Sequence, residues 1–163
     1  MPNHLSTLGI IHTIISILAI IVAFIALFRE GRINPHNGLG KWYLLLTAVT
    51  CLTSFGIMKT GHFTPAHGLS ILVLLLLPIG LYAQSIWRTG ARGEKIETII
   101  LSVTLFLSFI PAITETLTRL PIDNPIAANQ DAPVVKLSYL ILTALFAVGI
   151  FFQLRQLSRT VKI

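Results

Sequence analysis

Residues 8–28 read LGIIHTIISILAIIVAFIALF, a run with no Asp, Glu, Lys or Arg. Because each helical residue rises about 1.5 Å, roughly 20 apolar residues cross a bilayer core of about 30 Å. Stretches 42–58, 67–87 and 134–154 meet the same requirement, and 96–114 has no charge between Glu97 and Glu115. We expect an all-α integral membrane bundle of five transmembrane helices in one domain, residues 1–163. The helices are predicted at about 8–28, 35–58, 65–87, 96–116 and 134–155.

The composition argues against several other classes of protein. Hydrophobic residues make up 54% of the chain and charged residues only 11%, whereas soluble domains carry about a quarter charged residues. The net charge is +6, but the Lys and Arg residues are scattered among apolar runs, which disfavours nucleic-acid binding. The single cysteine, Cys51, excludes an intramolecular disulfide. No nucleophile elbow or Ser-His-Asp set is present, so no enzyme class is favoured.

The distribution of basic residues predicts the orientation in the membrane. With five spans, one side receives Lys59, Arg119 and Lys136, and the other receives the remaining nine basic residues. Cytoplasmic loops are enriched in Lys and Arg, so we expect an outside N-terminus and an inside C-terminus. No Lys or Arg precedes the first span, which argues against a cleaved signal peptide. The expected location is a bacterial cytoplasmic membrane. The nine residues are Arg29, Arg32, Lys41, Arg88, Arg92, Lys95, Arg155, Arg159 and Lys162.

Prolines mark several expected boundaries. Asn34-Pro35 predicts the start of helix two, with Asn as N-cap and Pro at the first helical position, and Thr64-Pro65 predicts the start of helix three. Pro78 is expected to kink helix three, because proline lacks an amide hydrogen and crowds the preceding turn. The proline-rich segment 119–133 is expected to be irregular.

Small and weakly polar residues predict the faces on which the helices pack. In lipid the hydrophobic effect does not drive helices together, so close packing of small and weakly polar residues marks the faces on which helices contact each other. In helix one they recur every three or four residues, and one of them is a histidine. This pattern directs His12 towards the bundle near its outer end. The members are Gly9, His12, Ser16, Ala19, Ala23 and Ala26 in helix one; Thr47, Thr50, Cys51 and Ser54 in helix two; Thr104, Ser108, Pro111 and Glu115 in helix four.

Histidines are expected to converge at this outer end. His67 lies in the first turn of helix three, which runs parallel to helix one, and Glu115 reaches a similar depth. His62 lies in the short outer loop nearby. His36 stands alone at the inner side, where it is expected to cap or pack helix two. Ionisable residues at membrane depth are costly and usually functional.

Three uses of these residues remain open. The leading hypothesis is a haem b electron-transfer module with His12 and His67 as axial ligands, exchanging electrons with quinone or another redox partner. The second is a divalent metal site formed by His12, His67 and Glu115, with His62 as a further ligand. The third is a non-catalytic membrane subunit or homo-oligomer whose histidines are hydrogen-bonded. Diagonal placement of helices one and three favours haem, and adjacent placement favours a metal or a hydrogen bond.

The segment from His12 to Pro78 resembles a family of small bacterial predicted membrane proteins of unknown function. That family has a histidine in its first helix, a His-Arg-x-Leu-Gly motif opening helix two and a Gly-x-Phe-x-Pro-x-His turn into helix three. Here the motifs read HNGLG at 36–40 and GHFTPAH at 61–67, and Asn37 replaces the arginine of the family. The resemblance implies a membrane protein in which His12, His36 and His67 belong to a shared pattern. It carries no established reaction.

Overall fold

The computed structural model of the chain describes residues 6–57, 63–88 and 91–160. Within these ranges every regular element is a helix, which confirms the all-α class. Three of the helices, α1, α5 and α6, are long and apolar enough to cross a membrane, and α3 is a shorter apolar helix. The helices are α1 (Thr7–Glu30), α2 (Gly38–Ser54), α3 (Pro65–Leu81), α4 (Ala83–Ile86), α5 (Ala91–Arg119) and α6 (Pro133–Thr160).

The long helices pack as antiparallel neighbours. Helix α2 packs on α1 and α3, and α5 packs on α3 and α6. The rings of Phe24 and Phe109, 5.9 Å apart, bring α1 against α5. Helices α1 and α3 therefore both lie against α2, and their main contacts are not with each other. We name the end of the bundle that contains His12 and His67 the histidine end, and the end that contains Arg32 the arginine end.

Helix α1 packs through the small residues predicted from its sequence. Gly9, Ala19, Ala23 and Ala26 are buried, and His12 and Ser16 are half-buried. The other faces of α1 carry exposed isoleucines, and α6 carries exposed leucines and phenylalanines along its length. Apolar surface of this extent is rare on soluble monomers. It is the surface expected of helices that meet lipid.

The start of α2 differs from the prediction. Asn37, not Asn34, is the N-cap, and its Oδ1 accepts a hydrogen bond of 2.8 Å from the Gly40 amide. Residues 34–37 form a turn that lies directly on the first turn of α2. A Cβ atom at Gly40 would fall 1.7 Å from the Asn34 carbonyl oxygen, so only glycine fits there. The predicted start at Asn34-Pro35 is wrong because this turn needs non-helical backbone.

The start of α3 is confirmed and its end is not. Thr64 is the N-cap and Pro65 the first helical residue, as predicted. The helix ends at Leu81, and Tyr82 separates it from the short α4, so the predicted continuous helix over 65–87 is wrong. Pro78 lies inside the last turn of α3, four residues before this break. Residues 120–132 contain no helix, which confirms the irregular segment.

Candidate functional site

His12 connects α1 to α2 at the histidine end. Its Nδ1 lies 3.0 Å from the hydroxyl oxygen of Thr53. The Thr53 hydroxyl also lies 2.9 Å from the backbone carbonyls of Val49 and Thr50, to which it donates its single proton. The Thr53 oxygen therefore accepts from the His12 Nδ1–H, and in the neutral ring the lone pair lies on Nε2. His12 also interacts electrostatically with Glu115.

His67 is part of the N-terminal cap of α3. Its side chain is buried, 3% exposed, and its Nδ1 accepts a hydrogen bond of 3.0 Å from the Thr64 amide. The Thr64 hydroxyl lies 2.8 Å from the same nitrogen. An amide can only donate, so Nδ1 is the unprotonated nitrogen and Nε2 carries the proton in the neutral ring. His67 therefore presents a hydrogen-bond donor at Nε2, where a haem or metal ligand needs a lone pair.

Two aromatic rings hold the His67 imidazole in place. The ring of Phe55, just after α2, lies 6.0 Å away and nearly parallel, and that of Phe63 lies 5.2 Å away. The Nε2 atom is buried and has no hydrogen-bond partner among the described residues. A second link between these helices is the 2.8 Å hydrogen bond from Ser54 to Ser70. His67 thus joins the end of α2 to the beginning of α3.

The other predicted ligands at this end are only partly brought together. Glu115 is 53% exposed at its side chain and pairs with Arg119 one turn further on, as its spacing suggests. His62 lies outside the described residues. Among the residues that are described, no group of three or more His, Cys, Asp or Glu side chains is placed to hold a metal ion.

The arginine end contains an ionic cluster that the sequence did not predict. Arg32, in the loop between α1 and α2, donates hydrogen bonds of 2.8 Å to Glu97 and to Glu94 of α5. The second carboxylate oxygen of Glu97 accepts a hydrogen bond of 2.9 Å from Gln84 of α4, and it lies 3.2 Å from His36 Nε2. We name these five residues the Arg32 cluster. The prediction that His36 stands alone is wrong, because the turn before α2 places it on Glu97.

The two charged side chains at the centre of the Arg32 cluster, Glu97 and Arg32, are largely buried. The Glu97 side chain is 0% exposed and that of Arg32 is 15% exposed. A buried ion is costly unless its charge and hydrogen bonds are matched, and here both Glu97 oxygens have donors. One guanidinium faces two carboxylates, so the cluster has one excess negative charge when His36 is neutral. The signal in the sequence was the spacing of Glu94 and Glu97, three residues apart on one helix face.

No protein-family model, curated protein or solved structure matches the chain. The resemblance of residues 12–78 to small bacterial membrane proteins therefore stays a prediction.

Proposed function

We propose that the chain is an integral protein of a bacterial cytoplasmic membrane that crosses the bilayer five times. Helices α1, α5 and α6 support this directly by their length and apolar composition. Helices α2 and α3 have 17 residues each, which corresponds to about 25 Å and lies at the short end of known spans. Helix α2 packs on α1 and α3, and α3 packs on α2 and α5, so a five-helix bundle leaves neither of them outside the membrane.

In this proposal the arginine end faces the cytoplasm and the N-terminus lies outside. The excess of Lys and Arg at that end supports the orientation. Single cysteines at Thr7 and Arg159, in a Cys51→Ser background, test it with a membrane-impermeant maleimide on intact cells. We expect labelling at position 7 and protection at position 159. Labelling at position 159 alone would show that the orientation is the reverse of the proposed one. Labelling at both positions would show that the chain has one span fewer than proposed.

Within the membrane we propose a non-catalytic role, as a structural subunit whose histidines fasten neighbouring helices. The observation that carries this proposal is the acceptance of the Thr64 amide hydrogen by His67 Nδ1. That bond occupies one ring nitrogen and places the proton on the other. The His12 Nδ1 atom is hydrogen-bonded to the hydroxyl of Thr53 of α2, and the His67 ring packs on Phe55 at the end of α2. Both rings thereby act as connectors between helices.

The experiment exploits the different demands of a helix cap and of a cofactor ligand. Gln is a favoured residue at the third helical position of a capping box, which His67 occupies here. We therefore expect His67→Gln to retain the stability of the parent protein and His67→Ala to lose it. The purified protein should be colourless and free of bound metal. A visible haem spectrum that both substitutions abolish would overturn the non-catalytic proposal.

A second candidate is the haem b electron-transfer module with His12 and His67 as ligands, linked to quinone. The observation in its favour is the Nδ1–H bond of His12 to Thr53, since metal-bound histidines usually donate their other nitrogen in this way. It requires His67 to give up its bond to the Thr64 amide. An absorption spectrum with a Soret band, lost in His12→Ala and in His67→Gln, would favour it.

The divalent-metal alternative is tested on the same samples. It depends on His12, His67 and Glu115, of which the structure brings His12 and Glu115 into electrostatic interaction. Elemental analysis of the purified chain should find a stoichiometric metal in that case. Glu115→Gln should then reduce the metal content, with Asp131→Asn in the loop before α6 as the matched control.

A further inference from the structure

A cleft of about 290 Å³ opens at the arginine end between α1, α5 and α6. Carboxylates enter it from two helices, Glu30 of α1 and Glu94 of α5, and side-chain amides enter it from α6. The Gln156 side chain lies so close to Gly31 that a Cβ atom there would fall 2.3 Å from its Oε1. Gln156 therefore lies against Gly31 and lines the cleft. The lining residues are Glu30, Gly31, Arg32, Glu94, Gln153, Gln156 and Leu157.

This cleft has an excess of negative charge. Arg32 is its single cation, and the guanidinium is shared by Glu94 and the buried Glu97. The Glu30 carboxylate accepts from the neutral amide of Asn37, at 2.6 and 2.5 Å, and has no ion pair within the described residues. Two carboxylates and one guanidinium therefore line the cleft, which leaves one negative charge. A cation with hydrogen-bond donors would complete the site.

A second depression, of about 440 Å³, adjoins the first on α6 and has the opposite charge. It is lined by Phe152, Arg155, Gln156 and Arg159, so Gln156 separates the two. Arg155 and Arg159 lie one helical turn apart, are exposed, and form no ion pair with any described carboxylate. Guanidinium groups bind phosphate oxygens in a bidentate manner. A negative and a positive subsite therefore lie side by side.

We propose that these paired clefts bind the headgroup of an ethanolamine phospholipid. The ammonium donates to Glu30 and Glu94, and the phosphate lies on Arg155 and Arg159. The acyl chains then follow Phe152 onto the exposed apolar face of α6. An ammonium supplies three N–H donors to the carboxylates, whereas a choline group supplies none and a glycerol group supplies no positive charge. The inference rests on the proposed membrane placement, in which the arginine end lies at headgroup level.

The test uses the full chain, purified and delipidated in detergent, and titrated with dihexanoyl phosphatidylethanolamine. The choline and glycerol lipids of the same chain length are the comparisons, and native mass spectrometry measures bound lipid. We expect the ethanolamine lipid to bind about tenfold more tightly than the others, which corresponds to a difference of about 1.4 kcal/mol in binding free energy. Equal binding of ethanolamine and choline lipids, or tighter binding of the glycerol lipid, would overturn the proposal.

Substitutions separate the two subsites. Glu30→Gln should abolish the preference for ethanolamine over choline and leave choline-lipid binding unchanged. Combined Arg155→Gln and Arg159→Gln should weaken binding of both lipids, whereas Lys41→Gln, an exposed residue outside both clefts, should change neither. A preference that persists in Glu30→Gln would contradict the site.

Two controls distinguish a failure of the lipid assignment from a failure of the proposed membrane placement. Soluble glycerophosphoethanolamine carries the same ammonium and phosphodiester charges, and binding as tight as that of the lipid would overturn the assignment to lipid. Flotation of the protein with liposomes measures membrane insertion by itself. Insertion without an ethanolamine preference would refute this inference alone, and failure to insert would refute the proposed membrane placement.

Discussion

The histidine end and the arginine end hold their helices together by different means. At the histidine end the hydrogen bonds of His12 and His67 are neutral, and those of His67 lie within four residues, from Thr64 to His67. At the arginine end, Arg32 reaches carboxylates more than 60 residues away in the sequence. A neutral cap costs little to bury and little to lose, whereas a buried ion pair is costly to break on one side. The two ends should therefore respond very differently to single substitutions.

The largest expected effect is that of Arg32→Gln. It leaves Glu97, which is 0% exposed, without its cation. Breaking a buried pair in this way costs about 3–5 kcal/mol, which we expect as a lower free energy of unfolding in detergent. The double variant Arg32→Gln with Glu97→Gln should recover most of the loss. An Arg32→Gln protein as stable as the parent would show that the cluster contributes nothing to the fold.

The next effect is expected at Gly40. Alanine there would place a Cβ atom 1.7 Å from the Asn34 carbonyl oxygen, so the turn before α2 must move. Overpacking of this kind costs typically about 1–3 kcal/mol, and it should also displace His36 from Glu97. Gly38→Ala is the matched control, because no atom lies within 4 Å of its added Cβ. Equal melting temperatures for the two variants would contradict the described turn.

A smaller effect is expected for Asn37→Ala. The substitution removes the N-cap of α2 and the hydrogen bonds to Glu30. Loss of an N-cap costs about 1 kcal/mol. Asn37→Asp keeps the cap acceptor but places a second carboxylate beside Glu30, so we expect it to fall between the parent and alanine. Denaturant titration followed by circular dichroism measures all three proteins.

The parts of the fold that the sequence predicted are those that depend on local pattern. The small-residue face of α1 and the Thr64-Pro65 start of α3 both follow from spacing within a few residues. The break at Tyr82 was missed, because whether a proline kinks or ends a helix depends on its neighbours. The start of α2 was placed too early for a similar reason, since the turn over Gly40 is a tertiary contact.

In the candidate sites, too, local pattern predicts some features, whereas others depend on tertiary contacts. His12 and His67 stand out in the sequence because histidine is rare in an apolar helix, yet residue type does not show which ring nitrogen carries the proton. In the sequence, Glu97 marks only the edge of an apolar stretch. Its partners come from the loop before α2 and from α4, and the position of those segments cannot be obtained from periodicity within one helix.

The most direct test of the proposed structural role is a comparison of His67→Gln with His67→Ala. Their free energies of unfolding would be measured in detergent next to the visible absorption of the parent protein. The proposal predicts that Gln matches the parent, that Ala loses about 0.5–2 kcal/mol, as expected for a lost cap, and that the parent has no Soret band. A Soret band in the parent that disappears equally in both variants would contradict it.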